Sequence, residues 1–148
     1  MYRILLSIVA VLFLHCGTTQ SIVLPEGFAR YEKPKKDVKA ITADGVRLFT
    51  ARFENRPKGN LALWVESLSE QLTQTGYRVV DKKSIKAGSL EGVAIESQAS
   101  YAGQDFSYLV AIFVKDDNVF TVESAGERKA FDKIKPALLQ SLTTFKGE

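Results

Sequence analysis

The amino-acid sequence predicts an α+β protein in which an antiparallel β-sheet of about six strands is flanked by helices. Three observations predict this class. An Asp-Gly pair at residues 44–45 separates two β-rich runs, and an apolar strand meander follows from residue 90. Two segments with apolar residues at helical spacing, residues 61–72 and 131–145, lie before and after that meander. Runs of strands that are interrupted by single helices are typical of α+β domains.

The first predicted hairpin joins residues 38–42 to residues 46–54 through Ala43, Asp44 and Gly45. Asp-Gly between two β-rich runs is a strong hairpin signal, because both residue types tolerate the positive φ of tight turns. In the second run, apolar and polar side chains alternate in the way expected of a strand with one face against a core.

A long helix is predicted to follow Asn60. Its apolar positions recur at intervals of three and four residues: Leu61, Trp64, Val65, Leu68 and Leu72. The Asn60 side chain can cap the first turn, and Gly76 stands where a C-terminal cap belongs. Trp64 lies on the apolar stripe of this helix and is therefore predicted to face the core.

Three meander strands are predicted between residues 90 and 125, after a short strand at residues 77–85. The second meander strand is apolar on both faces, which indicates a central position with both faces covered. The loop of Asp116, Asp117 and Asn118 is interpreted as a hairpin turn in preference to a cation site, since Asp and Asn bond their own backbone in turns.

The chain ends in a predicted helix whose apolar residues recur at helical spacing: Phe131, Ile134, Leu138, Leu142 and Phe145. Because Pro136 has no N–H to donate, the main helix is expected to begin close to it. The apolar face of this helix is predicted to pack against the sheet face that carries Val110 and Ile112.

The N-terminus carries an apolar block of about 11 residues between Arg3 and the only cysteine of the chain, Cys16. A membrane-spanning helix needs about 20 apolar residues, so the block fits the core of a signal peptide better. It resembles a bacterial lipoprotein signal, in which the cysteine receives a diacylglycerol and becomes the new N-terminus. The resemblance implies a signal peptide at residues 1–15, lipidation of Cys16, and a lipidated tether at residues 16–27.

His15 departs from this resemblance, because a small residue normally precedes the lipidated cysteine. The alternatives are an uncleaved N-terminal anchor or an unmodified, buried Cys16. Gly17 follows the cysteine, and the resemblance then implies sorting to the outer membrane, with the domain facing the periplasm.

Removal of residues 1–15 would take away the only histidine of the chain and leave Cys16 as its only thiol. Without imidazole or a free thiol, the mature protein could not build Ser-His-Asp or Cys-His catalysis, a disulfide within the domain, or the usual zinc, copper and haem sites. We therefore predict no cofactor, no metal and no catalytic residue. A net charge near +2 and the lack of a phosphate-binding loop indicate no nucleic-acid partner.

Four features together resemble the PsbP-like fold family, which includes photosystem extrinsic proteins, Ran-binding Mog proteins and small bacterial lipoproteins of the DcrB kind. They are the LPEGF opening at residues 24–28, the Ala43-Asp44-Gly45 hairpin, the helix at residues 61–72 and the closing segment at residues 130–146. The resemblance implies an α/β/α sandwich in a single domain at residues 28–148. It also implies binding roles and no shared catalytic residue.

The preferred functional hypothesis is a monomeric, membrane-anchored accessory module that binds an envelope protein or component. Tyr101, Phe106 and Tyr108 flank the predicted turn at residues 102–105 and are the candidate partner-binding residues, although cross-strand packing explains them as well. Two alternatives stay open: an enzyme that uses only carboxylates, Lys or Tyr, and a carrier of a hydrophobic ligand, which would need an interior cavity.

Overall fold

The computed structural model of the protein describes residues 19–31 and 37–148. Cys16, and with it the predicted lipidation site and signal peptide, lies outside the described residues. Within them, a seven-stranded antiparallel sheet lies between two α-helices, which confirms the predicted α+β class. The sheet has one strand more than expected because a three-residue edge strand precedes the first predicted hairpin.

The elements follow one another in this order: β1 Gln20–Ser21, β2 Phe28–Arg30, β3 Lys39–Thr42, β4 Arg47–Glu54, α1 Leu61–Gln74, β5 Arg78–Ala87, β6 Leu90–Tyr101, β7 Gln104–Lys115, β8 Asn118–Glu127, α2 Arg128–Leu142 and β9 Lys146–Gly147. The main sheet has the strand order β2-β3-β4-β8-β7-β6-β5, and β1 pairs with β9 in a separate two-stranded sheet.

Both predicted hairpin turns are present. Between β3 and β4, the Thr42 N–H donates to the Val46 carbonyl over 2.9 Å, and Gly45 has a φ of 82°. Between β7 and β8, Lys115 pairs with Asn118 across a two-residue turn in which Asp116 has a φ of 54°. Asp, like Gly, tolerates this left-handed conformation, so the turn accounts for the residue types found there.

Helix α1 has the predicted caps at both ends. Oδ1 of Asn60 accepts a 2.9 Å hydrogen bond from the backbone N–H of Leu63. At the other end, Gly76 has a φ of 92°, and the N–H of Tyr77 donates to the carbonyl of Leu72 over 2.9 Å. This pair of features is the glycine-terminated motif that satisfies the last carbonyls of a helix.

The sheet separates two apolar cores, as expected for a central strand covered on both faces. Alternate residues of β7 serve each core because side chains along a strand point to opposite faces. Leu109, Ala111 and Phe113 contact the core that includes α2, whereas Val110 and Ile112 contact α1. The prediction that α2 packs against Val110 and Ile112 is therefore wrong in its face, although α2 does pack on the sheet.

Helix α2 begins at Arg128, eight residues before Pro136, and so the prediction that it begins close to the proline is also wrong. Pro136 cannot donate to the carbonyl of Asp132, four residues earlier. Both residues are exposed, so solvent can satisfy that carbonyl. The apolar contacts of Phe131, Leu138 and Leu142 hold the helix on the sheet on either side of the proline.

The described part of the predicted tether, residues 19–27, lies against the domain. Gln20 and Ser21 pair with β9, and Ile22 is 5% exposed within the α2-side core. The N–H of Val23 donates to Thr144 Oγ1, and its carbonyl accepts from Ser141 Oγ. Residues 20–23 are therefore fixed to the body of the domain.

Candidate functional site

Helix α1 covers only part of its face of the sheet, and a groove remains between the helix and strand β4. The helix contacts β5, β6 and β7, but β8 and β4 extend beyond it. The groove has a volume of about 360 Å³. Its lining is mainly apolar and consists of Phe53, Trp64, Ser67, Leu68, Gln71, Ile112, Val119 and Thr121.

Phe53 forms the outer wall of the groove and is 55% exposed. It pairs with Val119 across the β4–β8 ladder, on the sheet face where α1 lies, but at a place that α1 does not reach. Large apolar side chains grouped at the surface commonly mark a binding surface, because leaving them in water is unfavourable. The groove is thus the part of this face best suited to receive an apolar group.

The opposite wall is set by Trp64, whose position depends on the buried side chain of Asn55. Oδ1 of Asn55 accepts from the Trp64 indole Nε1 over 2.8 Å and from the Gly59 N–H over 2.9 Å. The Asn55 N–H donates to the Asp117 carbonyl over 2.8 Å. Asn55 therefore ties the end of β4 to the start of α1 through its side chain and to the β7–β8 turn through its backbone, and the indole is fixed before any ligand arrives.

Gly59 allows this close packing. A Cβ at this position would lie 2.6 Å from Cδ2 of Leu63 and 2.9 Å from Nε1 of Trp64. Any larger residue would therefore push against the indole and change the shape of the groove.

Polar side chains lie on the same sheet face beyond the apolar lining. The Tyr108 hydroxyl donates to Oε2 of Glu123 over 2.5 Å, and Thr121 Oγ1 donates to Oε1 of the same carboxylate over 3.0 Å. Burial and the hydrogen bond to Glu123 raise the pKa of Tyr108 far above its usual value. The tyrosine therefore stays a neutral donor at physiological pH, and Glu123 has a partner on each oxygen.

The three aromatic residues that the sequence singles out lie on this same face but in different surroundings. Tyr101 is 78% exposed, Phe106 is half-buried, and the Tyr108 ring packs 5.7 Å from that of Tyr77. With its hydroxyl held by Glu123, Tyr108 has a structural contact that sequence alone does not reveal. Their role in partner binding stays a prediction.

Three residues in or beside the groove are not singled out by the sequence: Phe53 in its wall, Asn55 behind Trp64, and Glu123 beyond the apolar lining. For Phe53 a signal was present: β4 carries Phe49, Ala51 and Phe53 on one face and Leu48 and Thr50 on the other, so both faces are partly apolar. For Asn55 there was none, because an Asn after a strand is normally a turn residue.

Few acidic side chains of the described residues lie close to one another. No group of three or more His, Cys, Asp or Glu residues able to hold a metal ion occurs in residues 19–31 and 37–148. Asp117 pairs with Lys58 over 3.4 Å. Asp105, Glu127 and Asp132 line a surface pocket with Arg128, whose guanidinium contacts Asp105 over 3.2 Å. In this pocket Asp105 is therefore ion-paired with Arg128.

Within the described residues, no helix is both long enough and apolar enough to span a bilayer.

Comparison with known proteins gives matches in structure only. No protein-family model matches the chain, and no curated protein sequence is similar to it. A protein of unknown function from Pseudomonas aeruginosa, PA94, described as a candidate regulator, is 15% identical with a TM-score of 0.62, over 85% of this chain and 95% of that one. LpqN of Mycobacterium tuberculosis, described as involved in cell envelope biogenesis, is 10% identical with a TM-score of 0.67, over 87% and 84%.

The cyanobacterial PsbP of Synechocystis sp. PCC 6803 is 9% identical with a TM-score of 0.59, over 89% of this chain and 93% of that one. At such identities the likeness concerns the fold and not the activity. It agrees with the predicted architecture of a single antiparallel sheet between two helices. The protein has a PsbP-like fold.

Proposed function

We propose that this protein is a membrane-anchored lipoprotein of the cell envelope that acts as a non-catalytic accessory module, and that its groove binds an apolar segment of an envelope protein. The observation that carries this proposal is the open groove between α1 and β4, in which exposed Phe53 faces Trp64 across a floor of Ile112 and Val119. The lipid anchor at Cys16 is supported by the resemblance of residues 1–16 to a lipoprotein signal.

The groove has the composition of a binding surface. Its volume of about 360 Å³ is at the small end of the range for ligand pockets, which suits two or three side chains of a partner segment. Tryptophan and other large aromatic side chains contribute most to the affinity of interfaces. Since Asn55 already fixes Trp64, little ordering entropy would be lost on binding.

The proposed location of the protein rests on its N-terminal lipoprotein signal and not on the folded domain. Lipidation of Cys16 followed by Gly17 supports an outer-membrane protein whose domain faces the periplasm. The structural similarity to LpqN, which is described as involved in cell envelope biogenesis, supports an envelope role.

A second candidate function, carriage of a hydrophobic small molecule, is favoured by the same apolar lining. The groove is open along the side of Phe53 and is not an enclosed interior cavity. A carried ligand would remain partly in water, so a partner that covers the groove fits better.

The test is site-specific photo-crosslinking in intact cells. A photoreactive amino acid replaces Phe53 in the full chain, and a second variant carries it at Asp132, an exposed position on α2 beyond the other face of the sheet. We expect one defined envelope protein to crosslink from position 53 and not from position 132. Crosslinking to the same species from both positions, or only to lipid from position 53, would contradict the proposed protein partner.

A pair of arginine substitutions checks that the groove itself is used. Ser67→Arg places a long charged side chain in the groove from an exposed helix position, whereas Ala62→Arg places it on the solvent side of α1. The crosslink from position 53 is expected to disappear with Ser67→Arg and to persist with Ala62→Arg. Persistence with both would show that the partner does not enter the groove.

A further inference from the structure

We propose that one end of the domain, the membrane-facing pole, lies against the surface of the anchoring membrane. This pole comprises the β5–β6 turn at Gly88 and Ser89, the β7–β8 turn at Asp116 and Asp117, and strand β9. The inference rests on the proposed lipidation of Cys16 and adds to it the orientation of the domain.

The chain is fixed to this pole only three residues after Cys16. The Glu148 N–H donates to the Thr19 carbonyl over 3.2 Å, and Gln20 pairs with Gly147 in the β1–β9 ladder. Nε2 of Gln20 donates to Asp37 Oδ1 over 2.9 Å. Two backbone contacts and one side-chain contact thus hold residues 19–20 before the buried Ile22 is reached.

Strand β9 lies at the end of the sheet that carries the β5–β6 and β7–β8 turns. Lys115 Nζ, next to the β7–β8 turn, donates to the Gly147 carbonyl over 3.3 Å. A pocket of about 320 Å³ is lined jointly by the turn residues Gly88 and Ser89 and by the last residues of the chain. The β6–β7 turn lies at the other end of twelve-residue strands, roughly 40 Å away at about 3.4 Å per residue.

The length of the chain between Cys16 and Thr19 decides which end of the domain faces the membrane. From Cys16 to Thr19 a fully extended chain covers at most about 11 Å, at about 3.6 Å per residue. This distance is far shorter than the length of the sheet, so an acylated Cys16 keeps the membrane-facing pole near the headgroups. The domain can tilt about this point, but the β6–β7 turn cannot become the nearest end.

Charges of both signs lie at the membrane-facing pole among the described residues. Lys58 pairs with Asp117 over 3.4 Å, whereas Lys115 and Lys146 line the pocket at the β5–β6 turn together with Glu148. Attraction of these lysines to anionic headgroups would favour the same orientation. The short connection imposes this orientation without that attraction.

This orientation has a consequence for the groove. The Phe53–Val119 pair is one step from the last pair of the β4–β8 ladder, Glu54–Asn118, next to the β7–β8 turn. The groove therefore opens near the membrane-facing pole. A partner segment that enters there must lie close to the membrane surface, which fits a partner that is itself held in or on that membrane.

The experiment uses the full-length, lipidated protein reconstituted in vesicles of phosphatidylethanolamine and phosphatidylglycerol with an acceptor dye on the headgroups. Single variants Ser89→Cys, in the membrane-facing pole, and Gln104→Cys, at the opposite end of β7, each receive a donor dye. Because Cys16 is the only native cysteine, each variant accepts one dye if Cys16 is acylated and two if its thiol is free. The dye count thus tests the proposed lipidation separately from the orientation.

With one dye per chain, energy transfer to the membrane is expected to be several-fold stronger from position 89 than from position 104. Equal transfer from the two positions would overturn the proposed orientation while leaving the lipid anchor intact. Insertion of twenty Gly and Ser residues between Gly17 and Thr18 adds a span of about 25 Å and should bring the two transfer efficiencies together. An unchanged ratio after insertion would overturn the argument from connection length.

Discussion

Truncation of Leu138 to alanine should strongly destabilise the domain, because this side chain lies at the centre of the contact between α2 and the sheet. Leu138 is fully buried in the core that also contains Phe131 and Leu142. Removing a buried leucine side chain beyond Cβ costs about 2 to 5 kcal/mol, depending on how far the surroundings collapse into the cavity. Here collapse is restricted, because Ser141 of the same helix also holds the N-terminal segment through Val23.

We therefore expect a loss of about 3 kcal/mol in the free energy of unfolding. For a domain of this size, each kcal/mol corresponds to about 4 °C, so the melting temperature should fall by about 12 °C. The assay is thermal unfolding of residues 17–148, followed by circular dichroism, with Gln140→Ala as the matched control. Gln140 is exposed on the same helix, and its truncation should change stability by less than about 0.5 kcal/mol. If Leu138→Ala melts like the control, α2 is not docked as described.

Three further predictions concern the groove support, the buried tyrosine and the anchor. Asn55→Ala should cost about 2 to 4 kcal/mol, because it leaves the Trp64 indole N–H and backbone groups without partners; a chemical-denaturation midpoint equal to that of the wild type would contradict this. The raised pKa of Tyr108 means that the folded state holds this proton more tightly than the unfolded state, so its contribution to stability is complete below pH 10 and is lost as the pH rises further. Tyr108→Phe should therefore lose less stability than the wild type between pH 10 and 11.5, and parallel curves would contradict the buried, hydrogen-bonded position of the Tyr108 hydroxyl. Cys16→Ser should remove the protein from the membrane fraction or leave an uncleaved precursor, as judged by fractionation and intact mass; an unchanged membrane-bound mature form would exclude lipidation there.

Elements that depend on local signals could be predicted from the sequence. The Asp44-Gly45 turn, the Asn60 cap and the Gly76 terminus each rest on one residue type whose conformational preference is strong, and all three are present. The apolar residues on both faces of β7 likewise indicated its central position.

Features that depend on contacts between residues far apart in the sequence could not be predicted in the same way. The face on which α2 packs depends on the handedness of connections and not on the spacing of its own apolar residues, so Val110 and Ile112 were assigned to the wrong helix. The start of α2 was misplaced because the solvent exposure of Pro136, which makes it tolerable there, is a tertiary property. The attachment of residues 20–24 depends on pairing with β9, more than 120 residues away, and leaves no local signal.

The candidate groove could be predicted least of all. It exists because α1 lies over β5, β6 and β7, whereas the other four strands of the sheet extend beyond the helix, and this placement depends on the tertiary fold. Asn55 acts through contacts with Gly59, Trp64 and the β7–β8 turn, and only the folded chain brings these together.

The most direct test of the proposed binding function uses Trp64, which is the only tryptophan of the chain and lines the groove. Incorporation of 5-fluorotryptophan gives the protein a single ¹⁹F resonance, and the unlabelled partner identified by crosslinking contributes none. Titration with that partner should shift or broaden this resonance in a saturable way, and Ser67→Arg should abolish the change while Ala62→Arg preserves it. If the partner binds, as measured by calorimetry, while the Trp64 resonance stays unchanged, then the groove between α1 and β4 is not the binding site.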